Sequence, residues 1–454
     1  MIKKLLILLF VFHSSYLFAQ TIKTDVLVIG GSPSGVAAAV QSARSKVKTV
    51  LAENDTVFFI PGEVKPESKS ITFTPFGVAR IKGDINLSSG IWGEFRNRFR
   101  EYHKDEKDLD TAHYSPLQYD TWSGFEVMGK IMDTVKNLTV YKRTTFSTIK
   151  KDNDYWEVRV VQDGKAKVIR ARVVIDATPK AIAASMAGGT YSTLDSVLNK
   201  TGSKLYRTSI AMGDGLPDER NDDSFHAKDY FSNLPIYYIP LKAVITNGID
   251  NLLITEAIFP SQINLHYLPW QLTLGQGVGA TAAYCAFFKT TTKHLKVRVI
   301  QGELLDFKAY LLPFDDIMQT DPDWRAIQQV STTGLLKGTW LKKQFDFMPD
   351  APVTTAEIKP VLTEIYTRAF LWFNKEKPGE KFTIENTLSL ISDYTLTNPL
   401  VLKNSVQKDW KIRYKFKQDF DLKRQITRRE FAVLANRYLN PFARTVDLDG
   451  KLVN

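Results

Sequence analysis

Residues 25–53, DVLVIGGSPSGVAAAVQSARSKVKTVLAE, follow the order strand, glycine turn, helix, strand. The run Val26 to Ile29 is apolar without interruption, as a parallel strand buried on both faces should be. Gly30 and Gly35 take the outer positions of a G-x-G-x-x-G pattern. The first glycine of that pattern permits a tight turn, and the last lets the helix pack closely on the sheet. The stretch therefore predicts the βαβ unit of a dinucleotide-binding fold.

The loop of this unit has the chemistry that a pyrophosphate needs. Ser32 replaces the middle glycine, and it is small enough to let a backbone amide approach a phosphate. Pro33 stands where the first turn of a helix tolerates proline, so the helix would point its free amides at the loop. Glu53 ends the second predicted strand and would accept hydrogen bonds from the ribose hydroxyls of an adenosine. A purely structural glycine turn is the alternative. The predicted nucleotide site comprises Gly30, Gly31, Ser32, Pro33, Ser34, Gly35 and Glu53.

The first 19 residues carry two lysines, a short apolar stretch and Leu17-Phe18-Ala19, a pattern typical of a secretory signal peptide cleaved after Ala19. An uncleaved membrane anchor is the alternative. No later segment offers the roughly 18 apolar residues that a membrane helix needs. We therefore expect an exported protein, periplasmic or extracellular, with no membrane span in the mature chain.

The net charge and the cysteine content indicate what kinds of partner and bond the protein can have. The formal net charge is +11, and it falls to +9 when Lys3 and Lys4 leave with the signal peptide, which favours anionic partners. We expect no nucleic-acid partner for an exported protein, and we expect no metal site. The only cysteine, Cys285, cannot form an internal disulfide, and its apolar surroundings predict a buried helical residue.

The rest of the chain divides into a sheet-rich part and a helical part. Three strand-like runs between residues 138 and 178 predict a meander on a parallel sheet, and residues 179–240 predict a substrate-side subdomain. Asn251 to Ile254 predicts another buried strand. The run GQGVG at 275–279 predicts the start of a small-residue helix that reaches about Phe288.

Beyond residue 313 the pattern becomes amphipathic and helical, and it carries a repeat. Residues 347–366 align with residues 419–439 at an offset of 73. Each copy has a T-x-x-E capping box, Thr354 with Glu357 and Thr427 with Glu430. In contrast, WKIRYKFK at 410–417 alternates apolar and basic residues, which predicts a strand with one apolar and one basic face.

The order of these motifs resembles the FAD-dependent oxidoreductases of the glutathione-reductase-like class. It is most similar to a bacterial branch of FAD-dependent oxidoreductases that is loosely called xanthan-lyase-like. GGSPSG at 30–35, IDATPKAIAASMAGGTY at 175–191 and the segments at 239–261 and 274–283 carry the resemblance, which covers roughly residues 22–312. It implies an α/β fold: a Rossmann-like FAD-binding domain over residues 20–312 with a β-meander and an inserted substrate subdomain.

The resemblance also implies a cofactor and its contacts. The loop at 30–35 would cradle the FAD pyrophosphate, and Glu53 would hold the adenosine ribose. Ala177 and Thr178 would lie beside the cofactor. A helix start at Gly275 would aim its positive dipole at the flavin and stabilise the reduced ring. The residues assigned to this helix start are Gly275, Gln276, Gly277 and Gly279.

The chain departs from the family pattern near the flavin. The usual L-G-G segment is replaced by a stretch with only Gly62, and the usual Arg-x-Glu-Pro by His266-Tyr267-Leu268-Pro269. No general base is assigned. His266 and Glu256 are the catalytic candidates, because they lie in the segment expected to face the flavin.

The C-terminal region, residues 313–454, is predicted to be an all-α domain, and its repeats resemble S-layer homology modules, which begin at a T-R-A-E box. Those modules bind acidic cell-wall polymers, so the resemblance implies an anionic cell-envelope polymer as a partner. A helical appendage that packs on the flavin domain is the alternative.

Our functional hypothesis is an exported FAD-dependent oxidoreductase that takes hydride from an organic small molecule, with a sugar or envelope glycan suggested by analogy alone. A non-catalytic envelope- or glycan-binding protein on a degenerate flavin fold is the alternative. A polysaccharide lyase has little support. Such an enzyme needs a base and a group that neutralises the sugar acid, and the sequence shows no such constellation.

Overall fold

The computed structural model describes residues 20–59, 71–73, 89–104, 117–119, 121–198, 204–212, 238–259, 268–341 and 344–453. The predicted signal peptide lies outside these residues. Within them, no helix combines the length and apolar character that crossing a bilayer requires.

The strands are β1 Gln20–Ile29, β2 Thr49–Ala52, β3 Ile71–Phe73, β4 Leu117–Tyr119, β5 Leu138–Tyr141, β6 Thr144–Asp152, β7 Tyr155–Gln162, β8 Lys165–Asp176, β9 Ser209–Met212, β10 Tyr238–Pro240, β11 Leu252–Ile254, β12 Thr339–Leu341 and β13 Gln344–Asp346. The helices are α1 Pro33–Arg44, α2 Gly90–Tyr102, α3 Thr121–Asp133, α4 Ile182–Met186, α5 Leu194–Leu198, α6 Leu268–Phe287, α7 Val297–Asp306, α8 Trp324–Thr332, α9 Thr355–Ile365, α10 Thr367–Glu376, α11 Ile384–Thr395, α12 Pro399–Ile412 and α13 Arg428–Leu434. Several short 3-10 turns join them.

The main sheet has the order β5-β2-β1-β8-β7-β6, and β11 pairs with the last residues of β8. Strands β5, β2, β1, β8 and β11 run parallel, whereas β6, β7 and β8 form an antiparallel meander. The βαβ unit at residues 25–53 and the meander on a parallel sheet are therefore confirmed.

Helix α6 begins at Leu268, so the prediction that it starts at Gly275 is wrong. The apolar residues before Gly275 extend the helix towards its N-terminus. The glycines instead let α6 lie against its neighbours. A Cβ on Gly275 would lie 2.2 Å from the carbonyl oxygen of Ser34, and one on Gly279 would lie 2.4 Å from that of Ala38. These glycines bring the backbones of α6 and α1 together.

The C-terminal region is helical, with one hairpin formed by β12 and β13. Helices α9, α11 and α13 have the N-caps Thr354, Thr383 and Thr427, each accepting a hydrogen bond from an amide of the first turn. The aligned repeat at an offset of 73 therefore has a further member between its two copies. This member has Asn386 in place of the glutamate, which is why the T-x-x-E pattern missed it.

A ring of backbone hydrogen bonds joins these three helix starts. The amide of Val353 donates to Ile426 at 2.9 Å, the amide of Ile426 to Phe382 at 3.0 Å, and the amide of Phe382 to Val353 at 3.2 Å. All three side chains are buried. Each one immediately precedes an N-cap threonine, so the ring gives the module an approximate threefold arrangement.

The capping boxes are not equivalent. Glu430 completes the box at Thr427 by accepting from the threonine amide at 2.9 Å. Glu357 instead contacts the guanidinium group of Arg428. The threonine half of the first box is therefore confirmed, and its glutamate serves an ion pair.

The strand predicted at residues 410–417 is wrong. Helix α12 continues to Ile412, and the chain then turns back, with the amide of Phe416 donating to the carbonyl of Trp410 at 3.1 Å. Trp410, Tyr414 and Phe416 are buried, but Ile412 is 77% exposed, which a strand with one apolar face would not allow. The alternation comes from a helix end followed by a turn.

The C-terminal region packs directly on the sheet-rich region. The amides of Leu311 and Leu312 both donate to Oε1 of Gln328 at 2.9 Å, across the predicted boundary at residue 312. Lys242 also forms an ion pair with Asp449 at 2.6 Å. The helical C-terminal region is thus packed against the sheet-rich region.

Candidate functional site

The carboxyl ends of four parallel strands meet at one edge of the sheet. Ile29 of β1 lies opposite both Ala52 of β2 and Asp176 of β8, and Asp176 lies opposite Ile254 of β11. The residues that follow these strands therefore come together. In an open α/β sheet this edge is where ligands bind. The edge gathers the loop at 30–35, Glu53, Ala177, Thr178 and Glu256.

The glycine loop has the conformation that its sequence predicts. Gly30 has φ +105°, and a Cβ there would lie 2.8 Å from the carbonyl oxygen of Ala177. A Cβ on Gly35 would lie 2.2 Å from the carbonyl oxygen of Gly30. Ser32 caps α1 by accepting from the amide of Gly35 at 3.2 Å, and Pro33 is the first helical residue. Glycine is therefore sterically required at both outer positions.

Glu53 is held at the mouth of this loop by backbone amides. Its Oε2 accepts from the amide of Gly31, and its Oε1 accepts from the amide of Asp55 at 2.9 Å. The carboxylate is thus fixed beside the glycine loop, as the adenosine assignment requires. Its contact with a ribose stays a prediction.

Two aromatic residues that the sequence analysis missed cover the other side of the loop. The amide of Phe59 donates to the carbonyl of Gly31 at 2.6 Å, and the side chains of Phe58 and Phe59 are buried. A Cβ on Gly31 would lie 2.8 Å from Cβ of Phe58. Phe58 and Phe59 therefore pack against the middle of the glycine loop at Gly31. The adjacent pair of phenylalanines in a polar stretch was the available signal.

Glu256 is buried at the start of α1. Its Oε1 lies 2.5 Å from Oγ of Ser34, and its Oε2 accepts from Nε2 of Gln271 at 2.9 Å. Burial raises the pKa of Glu256, and hydrogen bonds from Ser34 and Ser32 act in the opposite direction. Both oxygens are thus engaged inside the protein. A catalytic role for Glu256 stays a prediction, and His266 lies outside the described residues.

Asp176 is a second buried carboxylate at this edge, and the sequence analysis gave it no role. It accepts from the amide and hydroxyl of Thr178 at 3.0 and 2.7 Å and from the amide of Ala184 at 2.8 Å. Burial raises the pKa of Asp176. The hydroxyl of Thr178 in turn accepts from the amide of Ile182 at 2.8 Å. Asp176 therefore orders the turn that carries Ala177 and Thr178, and a lone acid in the apolar run VVIDAT was its signal.

Gln276 lies in the interior of α6 and connects three helices. Its Oε1 accepts from the amide of Ile91 at 3.0 Å, and its Nε2 donates to Oε1 of Gln41 at 3.0 Å. Gly277 packs against Ile210, where a Cβ would lie 2.6 Å from the carbonyl oxygen. The structure thus gives packing contacts to the residues assigned to a helix start. Because they lie inside α6, the dipole argument for their contact with the cofactor no longer applies, and that contact stays a prediction.

Residues 25–204 match the family model described as FAD dependent oxidoreductase. The matched range contains the glycine loop, Glu53 and the turn after β8. The match supports FAD as the cofactor of this region and flavin-dependent oxidation or reduction as its chemistry. No curated protein matches the chain.

Several solved structures are similar to part of this chain. The p-nitrophenol 4-monooxygenase PnpA from Pseudomonas putida DLL-E4 is 14% identical, with 69% of this chain and 93% of that chain covered and a TM-score of 0.33. THI4 from Thermovibrio ammonificans is 14% identical, with 62% and 96% covered and a TM-score of 0.32. The bacillithiol disulfide reductase Bdr from Bacillus cereus is 14% identical, with 35% and 41% covered and a TM-score of 0.24. This chain thus spans less than half the length of that reductase, and nothing about substrate or activity follows from these similarities.

Proposed function

We propose that this protein is an exported flavoprotein that oxidises an organic substrate with FAD held at the carboxyl edge of its parallel sheet. The observation that carries the proposal is the meeting of the glycine loop, Glu53 and the turn after β8 at that edge. The match of residues 25–204 to the FAD-dependent oxidoreductase model supports it.

The residues at this edge fit FAD in most respects. A Cβ on Gly30 or Gly35 would collide with the carbonyl oxygen of Ala177 or of Gly30, so glycine at both positions lets the loop turn tightly into α1. The positive end of the α1 dipole favours the negative charge of a pyrophosphate. Glu53 keeps lone pairs that ribose hydroxyls can use, because each of its oxygens accepts one backbone amide. Bound FAD would supply acceptance of a hydride equivalent from the substrate. The buried carboxylate of Glu256 is the feature that fits an anionic ligand least.

We propose that residues 179–240 form the part of the protein that binds the substrate. Its described parts include β9 and β10, which pair antiparallel with Tyr238 opposite Met212, and β9 packs on α6 at Gly277. A region anchored in this way could hold a substrate against the flavin and exclude water. We propose a sugar or an envelope glycan as the substrate, on the grounds of the family resemblance and the signal-like leader.

Cofactor binding is tested first. We would express residues 20–454 and record the visible spectrum of the purified protein before and after heat release of the cofactor. A flavin band with close to one FAD per chain is the expected result. A colourless protein that fails to take up added FAD would contradict the oxidoreductase proposal and favour the non-catalytic alternative.

Matched glycine variants show whether the bound flavin occupies the predicted loop. Gly35→Ala places a Cβ 2.2 Å from the carbonyl oxygen of Gly30, so it should abolish FAD binding. Gly129→Ala in α3 meets nothing within 4 Å and should leave the flavin band unchanged. Equal flavin content in both variants would show that the flavin does not bind at the glycine loop.

The substrate class needs a separate test. Under anaerobic conditions, a substrate that is oxidised bleaches the flavin absorbance without an added electron acceptor. We expect bleaching by sugars or oligosaccharides and none by amino acids or 2-hydroxy acids. Bleaching by amino acids or 2-hydroxy acids but not by sugars would support the oxidoreductase proposal and contradict a sugar as the substrate.

An anionic envelope polymer is a second candidate partner for the C-terminal region. The two arginines between Thr427 and Glu430 bind groups inside the chain. Arg428 donates to the carbonyls of Phe347 and Lys337, and Arg429 pairs with Asp321 at 2.6 Å. The favoured surface is instead exposed and basic, and it comprises the last turn of α12 and the residues that turn back after it. We define this basic turn as Lys411, Arg413, Lys415 and Lys417, all of which are exposed.

Sedimentation with insoluble polygalacturonate would test the basic turn. The double variant Lys415→Glu/Lys417→Glu should lose retention at low salt, because it reverses two exposed charges. The control Lys165→Glu/Lys180→Glu makes the same change at exposed positions of the sheet-rich region and should be retained like the wild type. Equal retention of both variants would favour a module that only packs on the flavin region.

A further inference from the structure

The buried carboxylate of Glu256 lies at the position where a dinucleotide-binding helix receives a phosphate. Glu256 follows β11, whose last residue is level with the ends of β8 and β1. Ser34, which lies 2.5 Å from its Oε1, is the second residue of α1. The carboxylate therefore sits at the positive end of the α1 dipole.

The surroundings of this carboxylate are polar but contain no compensating cation among the described residues. The groups that face it are the N-cap Ser32, the side chain and backbone of Ser34 in α1, and Gln271 from α6. Glu256 itself is 2% exposed, so water does little to stabilise its charge. Burial accordingly raises its pKa. The helix start and the two serines are the main stabilisation of the negative charge.

A pyrophosphate needs the same stabilisation. Backbone amides and hydroxyls at the first turn of a helix bind phosphate oxygens, and the positive end of the helix dipole stabilises a negatively charged group there. Two negative groups at one helix start repel each other strongly at low dielectric. A protonated carboxyl removes that repulsion, and it can still accept from Gln271 through its carbonyl oxygen and donate its proton to Oγ of Ser34.

We propose that Glu256 and the FAD pyrophosphate compete for the first turn of α1, so that FAD binding is coupled to the uptake of one proton by the Glu256 carboxylate. The proton comes from solvent, and it balances one negative charge of the incoming ligand. This inference rests on the proposed function, because it requires FAD in the glycine loop. It makes Glu256 a positioning residue that sets the pH range of cofactor binding.

The dissociation constant of FAD as a function of pH tests the coupling. Titration of the apoprotein, followed by quenching of flavin fluorescence between about pH 5 and pH 9, should give a constant that rises with pH. The slope should approach tenfold per pH unit once Glu256 is ionised in the apoprotein, since one proton must be taken up. Glu256→Gln keeps an acceptor for Gln271 and cannot ionise, so its dissociation constant should not change over this range. At the alkaline end it should bind FAD at least about tenfold more tightly than the wild type.

Two further variants sharpen the test. Glu101→Gln changes an exposed acid on α2 and should keep the slope of the wild type. Ser34→Ala removes a hydroxyl donor from the ionised carboxylate, so the rise in the dissociation constant should begin at a higher pH. Parallel slopes for the wild type and Glu256→Gln would overturn the inference.

Calorimetry measures the proton directly and uses only the wild-type protein. FAD binding in two buffers of different ionisation enthalpy should reveal an uptake that approaches one proton in the pH range where the affinity changes. This measurement decides the question even if Glu256→Gln does not fold. FAD binding without proton uptake at any pH would overturn this inference and keep the proposed function. Absence of FAD binding by the wild type at every pH would overturn the proposed function itself.

Discussion

Arg207 and Glu364 form a bidentate ion pair between the sheet-rich region and helix α9. Nη1 of Arg207 lies 2.9 Å from Oε1 of Glu364, and Nη2 lies 2.9 Å from Oε2. The side chain of Arg207 is 1% exposed, and its Nε donates to the carbonyl of Thr333 at 2.8 Å. The buried guanidinium group and its partner Glu364 fix α9 against the residues that lead into β9.

Loss of this carboxylate should destabilise the folded protein. Glu364→Gln leaves the charge of Arg207 buried and less well paired, and we expect the free energy of unfolding to fall by about 2 kcal/mol at neutral pH. That value is smaller than the roughly 3–5 kcal/mol typical of a fully buried pair, because Glu364 is 30% exposed. Denaturant unfolding measures it. Glu380→Gln, an exposed acid of the same module, is the control and should change little.

The same pair predicts how stability depends on pH. Arg207 lowers the pKa of Glu364 from its usual 4.5 to about 2. A lowered pKa in the folded state stabilises the protein above the usual value, and the stabilisation is lost as the pH falls through the folded value. The difference in unfolding free energy between wild type and Glu364→Gln should therefore shrink as the pH falls from 4.5 towards 2. A constant difference across this range would contradict the assignment.

Close packing of α6 on α1 predicts opposite effects for two helical glycines. Gly275→Ala places a Cβ 2.2 Å from the carbonyl oxygen of Ser34, so it should cost about 1–3 kcal/mol of stability or more and weaken FAD binding. Gly302→Ala in α7 meets nothing within 4 Å and should stabilise the protein by up to about 1 kcal/mol. Thermal unfolding of both variants checks the sign. Similar melting temperatures would show that α6 and α1 are not in such close contact.

The single cysteine should be unreactive in the folded protein. Cys285 is buried in α6, and burial raises the pKa of its thiol to about 12. The thiolate is the reactive form, so a thiol reagent at mildly alkaline pH should react only after unfolding. The denatured protein, with its one thiol, supplies the stoichiometric reference. Rapid labelling of the native protein would show that the end of α6 opens readily.

Glu53 should contribute to FAD binding, unlike an acid that lies away from the glycine loop. Glu53→Gln turns an amide NH2 group towards the amide of either Gly31 or Asp55, so one of the two hydrogen bonds that hold the side chain is lost. We expect the dissociation constant of FAD to rise by about tenfold, which corresponds to about 1.4 kcal/mol. Glu157→Gln on β7 changes an acid whose side chain is 45% exposed and serves as the control. An unchanged constant in Glu53→Gln would remove Glu53 from the cofactor site.

The sequence determined the local geometry of the first unit and of the capped helices. Gly30 and Gly35 are required by backbone contacts with residues nearby or on the adjoining strand, and Ser32 and Pro33 begin α1 as their types predict. The apolar surroundings of Cys285 likewise predicted its burial. The residue types in each local pattern are sufficient to predict these features, although the contact of Gly30 with Ala177 itself depends on the pairing of β1 with β8.

Tertiary structure decided which distant residues share a site. The contact between Ser34 and Glu256 spans 222 residues and arises because β11 is parallel to β8, which no local pattern encodes. The run at 275–279 predicted a helix start, but a small-residue run is equally suited to the middle of a helix that packs closely on another. Only the position of α1 distinguishes the two. The alternation at 410–417 likewise arose from a helix end and a turn, because alternating apolar residues do not specify the backbone that carries them, and Ile412 in this series is exposed.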